Sequence, residues 1–195
     1  MGLALVTDVT EEPVSLDEQK AHLRLDTADD DAYLAGCITA ARVWVEGQTK
    51  RAILPQTWDY TIDCGWPVED GLYRINLPLN PSKAISGTSP EVFSITYVDT
   101  NGVSQTLAQS QYTLVSRVHG SYIVPAYNIT WPDVRDVPNA VTVRFVAGDA
   151  DNIPQELHRA IMILAGYYYE NRESGDGAPS AVEALISPHR KATFR

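Results

Sequence analysis

The sequence predicts a mixed α+β protein: a helical bundle with an inserted small antiparallel β-sandwich or barrel and an extended C-terminal tail. Near both ends of the chain, apolar residues recur at three- and four-residue steps, which indicates amphipathic helices. In the middle, apolar residues tend to alternate with polar ones and turn residues multiply, which is typical of short strands. Because helices and strands occupy separate blocks, a doubly wound α/β fold, which needs alternation, is disfavoured.

We therefore divide the chain of 195 residues into four parts. Residues 1–56 form an N-terminal helical part, and residues 57–148 form a β-rich insertion. Residues 149–186 supply C-terminal helices that complete the bundle, and residues 187–195 form a basic docking tail. A chain of this length is long enough to bury a sizeable core.

Two helices are predicted ahead of the insertion. The first begins at Ser15, because a serine followed three residues later by Glu18 is a capping box, and it ends near Leu23. The second opens in residues 26–31, whose carboxylates favour the positive end of the helix dipole, and stops near Gly47 or Thr49. Its buried stripe consists of Leu34, Cys37, Ile38, Ala41, Trp44 and Val45.

Seven short runs in the middle of the chain are predicted to be strands, at intervals of roughly ten residues. Asn101 and Gly102 form a hairpin turn between two of them, since Asn-Gly suits the positive φ of tight hairpins. This spacing favours a small antiparallel sandwich or barrel. The runs are 57–62, 73–77, 92–98, 103–107, 112–115, 122–125 and 141–146.

Helical spacing returns after the insertion. Pro154 lies near a first turn, where its missing N–H costs nothing, and it begins a helix with a stripe of apolar residues that includes Leu157 and Ile161. Gly175 and Gly177 end that helix, and residues 180–186 can form a short last one.

The charge is acidic overall and unevenly distributed. The formal net charge is −10, which disfavours a nucleic-acid-binding module because phosphate binding needs a cationic surface. Residues 1–31 hold nine acids against Lys20 and Arg24, whereas residues 187–195 hold three bases and no acid. Such asymmetry suggests interaction tails. No apolar run approaches the length of a membrane span, and no signal peptide is recognised, so synthesis in a cytoplasm and no membrane contact are expected.

No catalytic, cofactor or metal site emerges from the sequence. The two cysteines and four histidines have no metal-ligand spacing, and no nucleophile elbow, phosphate-binding loop or zinc-protease motif occurs. We therefore expect a non-enzymatic protein without a cofactor. A small hydrolase with a site assembled from distant residues, for instance Asp133, Arg135 and His119, stays open as an alternative because triad partners can come in any order.

An ordered set of segments then points to a known family. The set consists of residues 14–25, the acidic patch at 29–31, and residues 45–58, 77–79, 95–102, 131–132, 143–148, 153–154 and 168–173. Together these segments resemble the head–tail connector (adaptor) proteins of tailed double-stranded DNA bacteriophages and related gene transfer agents. The similarity covers nearly the whole chain in order.

The resemblance implies a virion structural protein at the neck of a phage or phage-like particle. Subunits of the family form a homo-oligomeric ring, usually of twelve, beneath the portal, and the ring extends the DNA channel. The implied partners are the portal protein and the next neck or tail protein, a stopper or tail terminator. An alternative is a tail-completion or neck protein that binds tail components rather than the portal.

The resemblance also implies contact residues. The C-terminal segment commonly docks on the portal, and the candidates here are Pro188, His189, Arg190, Lys191, Phe194 and Arg195. DNA must pass through a connector without specific binding, and an acidic wall would prevent the phosphates from sticking. The candidates for channel or subunit contacts are Asp29, Asp30, Asp31, Tyr169 and Arg172.

Overall fold

The computed structural model of the protein describes residues 1–69, 72–79, 92–115, 120–172 and 177–190. Helices and antiparallel sheets are both present, so the predicted mixed α+β class is confirmed. The chain divides into two compact units, each built from two segments. A β unit consists of Met1–Asp8 with Pro55–Gly148, and a helical unit consists of Val9–Leu54 with Asp149–Arg195.

Among its described residues, the helical unit contains four α-helices at the predicted places. These are α1 (Leu16–Leu23), α2 (Asp31–Thr49), α3 (Gln155–Glu170) and α4 (Ser180–Ile186). The Ser15 hydroxyl accepts the Glu18 backbone N–H at 3.2 Å, which is one half of the expected capping box. Arg24 and Lys50 follow α1 and α2 in the left-handed region although neither is glycine, and the Arg24 N–H donates to the Ala21 carbonyl, which closes the last turn of α1.

The core of the helical unit is formed by the inward stripes of α2, α3 and α4. Helix α1 packs on α3 through Gln19, which is fully buried and donates from its side-chain amide to the Met162 carbonyl at 3.0 Å. A Cβ added at Gly166 would lie 3.1 Å from the Leu23 side chain, so α1 approaches α3 closely at that glycine. The core comprises Val14, Cys37, Ile38, Ala41, Val45, Ile53, Leu157, Ala160, Ile161, Leu164, Ala165, Val182 and Ile186.

An arginine is buried beside this core. Arg42 is 2% exposed, and its guanidinium donates to Glu12 at 2.8 Å and to Glu46 at 3.0 Å. Glu12 also accepts the Thr39 hydroxyl at 2.8 Å, and Glu46 accepts the Ile53 N–H at 2.8 Å. A buried charge needs such partners because desolvation alone would make it very costly. The network ties the segment before α1 and the segment after α2 to the middle of α2.

The β unit is built of ten short strands among the described residues. The first five are β1 (Gly2–Thr7), β2 (Gln56–Ile62), β3 (Val68–Glu69), β4 (Leu72–Tyr73) and β5 (Ile75–Asn76). The others are β6 (Val92–Val98), β7 (Ser104–Thr106), β8 (Tyr112–Val115), β9 (Tyr122–Pro125) and β10 (Val141–Ala147). They form a five-stranded sheet in the order β1-β2-β10-β6-β7, a three-stranded sheet β5-β9-β8 and the hairpin β3-β4, all antiparallel.

The five-stranded sheet has one apolar and one polar face. In the register of β2 against β10, Trp58 faces Phe145 and Tyr60 faces Val143, and both β10 residues are fully buried. On the opposite face the Arg144 guanidinium donates two hydrogen bonds of 2.7 Å to the Asp59 carboxylate. This alternation is the pattern expected for an antiparallel sheet that covers a core on one side only.

Two sequence-based assignments need correction. Residues 1–8 were placed in the helical part, but strand β1 pairs with β2 and therefore belongs to the β unit. The single strand predicted at 73–77 is divided into β4 and β5, which lie in different sheets. Both errors have the same cause: which strand pairs with which is decided by tertiary contacts and not by local alternation.

In the part of the chain that the structure describes, no helix is long and apolar enough to cross a bilayer.

The Arg42 network predicts a large effect on stability. Arg42→Ala would leave the Glu12 and Glu46 carboxylates without their shared cation, and we expect the free energy of unfolding to fall by about 3 kcal/mol. Chemical denaturation followed by circular dichroism measures this. Arg159→Ala, at an exposed position of α3, is the control and should change it by less than about 0.5 kcal/mol. Equal effects of the two substitutions would contradict a stabilising network.

Candidate functional site

Three of the predicted contact residues meet at one place in the helical unit. The start of α2 lies beside the end of α3, and Asp30, just before α2, accepts two hydrogen bonds there. The Tyr169 hydroxyl donates to Asp30 Oδ2 at 2.8 Å, and the Arg172 guanidinium donates to the same oxygen at 2.9 Å. The sequence places these residues about 140 positions apart, so the helix packing brings them together.

Tyr33 completes this group, which we call the Arg172 cluster (Asp30, Tyr33, Tyr169 and Arg172). The Arg172 guanidinium carbon lies 4.4 Å from the centre of the Tyr33 ring and 5.5 Å from that of Tyr169, within cation–π range. The two rings are 6.0 Å apart and tilted, and the Tyr33 hydroxyl donates to the Tyr168 carbonyl at 3.2 Å. The guanidinium is thus held by a carboxylate and two aromatic faces.

The cluster changes the ionisation of its members. The Tyr169 hydrogen bond and then the Arg172 hydrogen bond stabilise the Asp30 carboxylate and lower its pKa below the ordinary value. The same bond to Asp30 raises the pKa of Tyr169, because ionised tyrosine would lose its proton donor and face a carboxylate. At neutral pH the cluster therefore contains one negative and one positive charge that offset each other.

The other two aspartates of the acidic run point elsewhere, as successive positions at a helix start do. Asp31, the first residue of α2, accepts a 2.7 Å salt bridge from Lys20 of α1. Asp29 is exposed. The acidic run therefore divides into two carboxylates with internal cationic partners and one carboxylate that faces solvent.

A shallow apolar groove adjoins the Arg172 cluster. It has a volume of about 410 Å³. Its floor is the exposed face of α2, where alanine and glycine recur at four-residue steps, and Tyr33 and Tyr168 stand at its sides. The lining consists of Ala32, Tyr33, Gly36, Cys37, Ala40 and Tyr168. The sequence pattern did not single out Tyr33, although this residue lies one turn before the buried Cys37 on α2.

Half of the predicted docking tail lies within the described residues. Pro188 belongs to a short 3-10 turn, Ser187–His189, that follows α4 directly. The His189 imidazole is 3.6 Å from the Glu156 carboxylate, and Arg190 donates to Glu183. Lys191, Phe194 and Arg195 lie outside the described residues. Helix α4 is itself held in the core by Val182 and Ile186, so the tail leaves the helical unit from a fixed point.

Comparison with known proteins shows which proteins this chain resembles. Residues 13–87 match the family model described as "Phage gp6-like head-tail connector protein". That segment includes α1, α2 and the Asp30 end of the cluster. Comparison with curated proteins gave no match.

Solved structures match along the entire chain. A chain from the neck of an empty gene transfer agent (GTA) particle computed with C6 symmetry has a TM-score of 0.77 and 26% identity. A chain from the neck of the native GTA particle computed with C12 symmetry has the same values. A chain from the native GTA virion has a TM-score of 0.76 and 27% identity. Each alignment covers 100% of this chain and 98% of the other.

The chain is similar to phage head–tail connector proteins over residues 13–87, and to chains of gene transfer agent particles along its whole length. The resemblance inferred from the sequence is thereby confirmed. The matched class is structural rather than enzymatic. The predicted location, the neck of a virion or phage-like particle, agrees with the particle region from which two of the matched chains are described and with the virion that contains the third.

The β unit contains a second aromatic site. Trp66 and Trp131 stack with centroids 4.4 Å apart, and the Trp66 indole donates to the Pro132 carbonyl at 2.7 Å. Together with Tyr73 they line a pocket of about 420 Å³, and Tyr127 of the same unit is 91% exposed. This type of surface, with tyrosine and tryptophan at its centre, is common at protein interfaces.

The hydrolase alternative gains nothing from this pocket. Asp133 is one of its lining residues and is exposed. Arg135 is also exposed and packs against Gly102. His119 lies outside the described residues. Among the residues that are described, no group of three histidine, cysteine or acidic side chains is arranged to hold a metal ion.

The Arg172 cluster predicts a pH-dependent stability difference. Asp30→Asn removes the charge that Arg172 and Tyr169 bind, and we expect the melting temperature at pH 7 to fall by about 1–3 °C. Because the folded pKa of Asp30 is lowered, its contribution is present above the ordinary pKa near 4 and is lost as the pH falls through the folded value. The difference between the two proteins should therefore vanish in acid.

Melting curves from pH 2 to pH 7 test this. Asp29→Asn is the matched control, because Asp29 is exposed and should give no difference at any pH. A difference that persists unchanged to pH 2 would contradict an ionic origin.

Proposed function

We propose that the connector forms a homo-oligomeric ring of twelve subunits in the neck of a phage or gene transfer agent particle. The ring lies beneath the portal, extends the DNA channel and joins the capsid to the tail. The observation that carries this proposal is the end-to-end match with chains from particle necks computed with C6 and C12 symmetry. Double-stranded DNA passes through the ring without specific binding, in agreement with a net charge of −10.

Subunit contact in this ring is assigned to the groove on α2 and its aromatic side walls. Interfaces of assembled oligomers are apolar at the centre and favour aromatic and arginine side chains. The groove supplies an uncharged floor, and the Arg172 cluster supplies a fixed arginine and two tyrosines at its side. Since the cluster is already neutralised internally, a neighbour can cover it without burying a net charge.

Portal docking is assigned to the tail, residues 187–195. Its three bases and the absence of acids suit an acidic surface on the portal. Arg190 is held by Glu183 in the free chain, so docking through Arg190 requires an exchange of carboxylate partners. Lys191, Phe194 and Arg195 are the further candidates.

Electron microscopy of the connector, alone and co-expressed with the portal protein, tests the ring and its anchor. We expect twelvefold rings on the portal, lost when residues 187–195 are removed. Reversing the charge with Lys191→Glu and Arg195→Glu should weaken portal binding by at least about tenfold, since two attractive pairs become repulsive. Lys191→Arg with Arg195→Lys is the control and should retain it.

Two results would count against this assignment. Capture of the chain by tail proteins alone, with no portal complex, would support the tail-completion role instead. Rings that persist without residues 187–195 would show that the anchor lies elsewhere.

The exposed Asp29 is the carboxylate that we assign to the channel wall or to a basic partner, because Asp30 and Asp31 are engaged within the subunit. Asp29→Lys should slow DNA passage and raise the salt concentration needed to free DNA from the ring, since each added cation strengthens phosphate binding. DNA retention in purified particles measures this. Asp26→Lys, at another exposed position before α2, is the control. Unchanged retention with Asp29→Lys would remove Asp29 from the channel.

A further inference from the structure

Strand β1 is an open edge of the five-stranded sheet. It pairs on one side with β2, and no strand among the described residues pairs with its other side. All six of its residues are exposed. An edge strand presents a row of unpaired N–H and C=O groups, which can accept a further strand from another chain.

Proteins commonly protect an edge strand with charged side chains, proline or a β-bulge, and β1 has little of this protection. Residues 1–7 contain no charged side chain and no proline. The register shifts between Leu5 and Thr7, so a bulge interrupts only the end of the strand and leaves Gly2 to Leu5 regular. The opposite edge differs: β7 is three residues long and consists of Ser104, Gln105 and Thr106.

The side chains of β1 continue the apolar face of the sheet. Leu3 lies opposite Tyr60 and Leu5 opposite Trp58, in the same rows as the buried Val143 and Phe145. Yet Leu3 is 39% exposed and Leu5 is 44% exposed. The apolar face of the sheet therefore extends beyond the part that the β unit itself covers. A strand added here would bring alternate side chains over this uncovered margin.

We propose that β1 is a strand-addition site for an extended, uncharged segment of a different protein in the particle. The open backbone edge requires an extended partner, and the leucine margin requires alternate apolar side chains. A charged segment is disfavoured because its charges would be desolvated against Leu3 and Leu5.

A second copy of the chain fits this edge poorly. Antiparallel pairing of β1 with β1 of another copy is isologous and needs a two-fold axis, whereas a ring joins two different surfaces of neighbouring subunits. The other edge of the same five-stranded sheet, β7, has only three residues, all of them polar, whereas β1 has six residues. This preference for a different protein over a second copy of the chain as the partner of β1 depends on the ring proposed above.

Amide hydrogen exchange of the full-length chain tests the proposal, in three states: free, as a homo-oligomeric ring, and in particles assembled with the other neck proteins. Half of the β1 amides, those not directed at β2, should exchange freely in the first two states. In the particle they should slow by at least about tenfold, because exchange then requires opening of the added strand. The outer amides of β7 are the internal control and should stay fast.

A pair of substitutions tests the same edge. Leu5→Lys places a charge on the leucine margin and should abolish the protection and lower incorporation into particles by at least about tenfold. Ser104→Lys places the same charge on β7 and should change neither. Both positions are exposed, and thermal melting of each variant verifies the fold.

Protection of β1 in the ring alone would show pairing with a second copy and overturn the proposal, as would equal effects of the two substitutions. Assembled particles in which the outer β1 amides stay unprotected would overturn this proposal and leave the ring intact. A chain that joins neither assembly, with β1 unprotected throughout, would contradict both.

Discussion

The antiparallel packing of α2 on α3 is the contact on which the helical unit depends. These helices come from two chain segments that are separated by the whole β insertion. Their inward stripes supply most of the buried core, and α1 and α4 pack on them. The entropic cost of closing a long loop rises only with the logarithm of its length, by about 0.6 kcal/mol per doubling, so an insertion of this size can be accommodated if it folds as a unit of its own. The buried sheet residues of the β unit satisfy that condition.

The same packing creates the candidate contact surface. Because the end of α3 meets the start of α2, Arg172 and Tyr169 converge on Asp30, and Tyr33 closes the group. The cluster lies beside an uncharged groove on α2. This surface suits protein contacts, because Arg172 and Asp30 already pair with each other and the groove beside them is apolar. A partner that covers it therefore buries no isolated charge.

The β unit adds surfaces of another kind. One face of its five-stranded sheet is buried and the other is polar. The edge strand β1 adds Leu3 and Leu5 to the apolar face, and both leucines are exposed. Together with the stacked tryptophans and the exposed Tyr127, and with the groove on α2, this gives the chain apolar surfaces in both units. Aromatic and apolar surfaces of this kind are common at the centres of protein interfaces.

The sequence by itself determined the elements and their class. Periodicity and capping located α1, α3 and α4 closely, and alternation located most strands, because these signals act within a few residues. The ordered motifs also indicated a resemblance to the connector family, and Asp30, Tyr169 and Arg172 were among the candidate contact residues, a role that stays a prediction.

Tertiary structure alone decided how distant residues pair. It placed β1 beside β2, split the strand predicted at 73–77, buried Arg42 between two glutamates and gave Asp30 and Asp31 internal cations. Each of these results depends on contacts between residues far apart in sequence, or on burial that changes the cost of a charge. No local pattern contains either quantity, because a short strand or a lone arginine has the same sequence signal whether or not a partner reaches it.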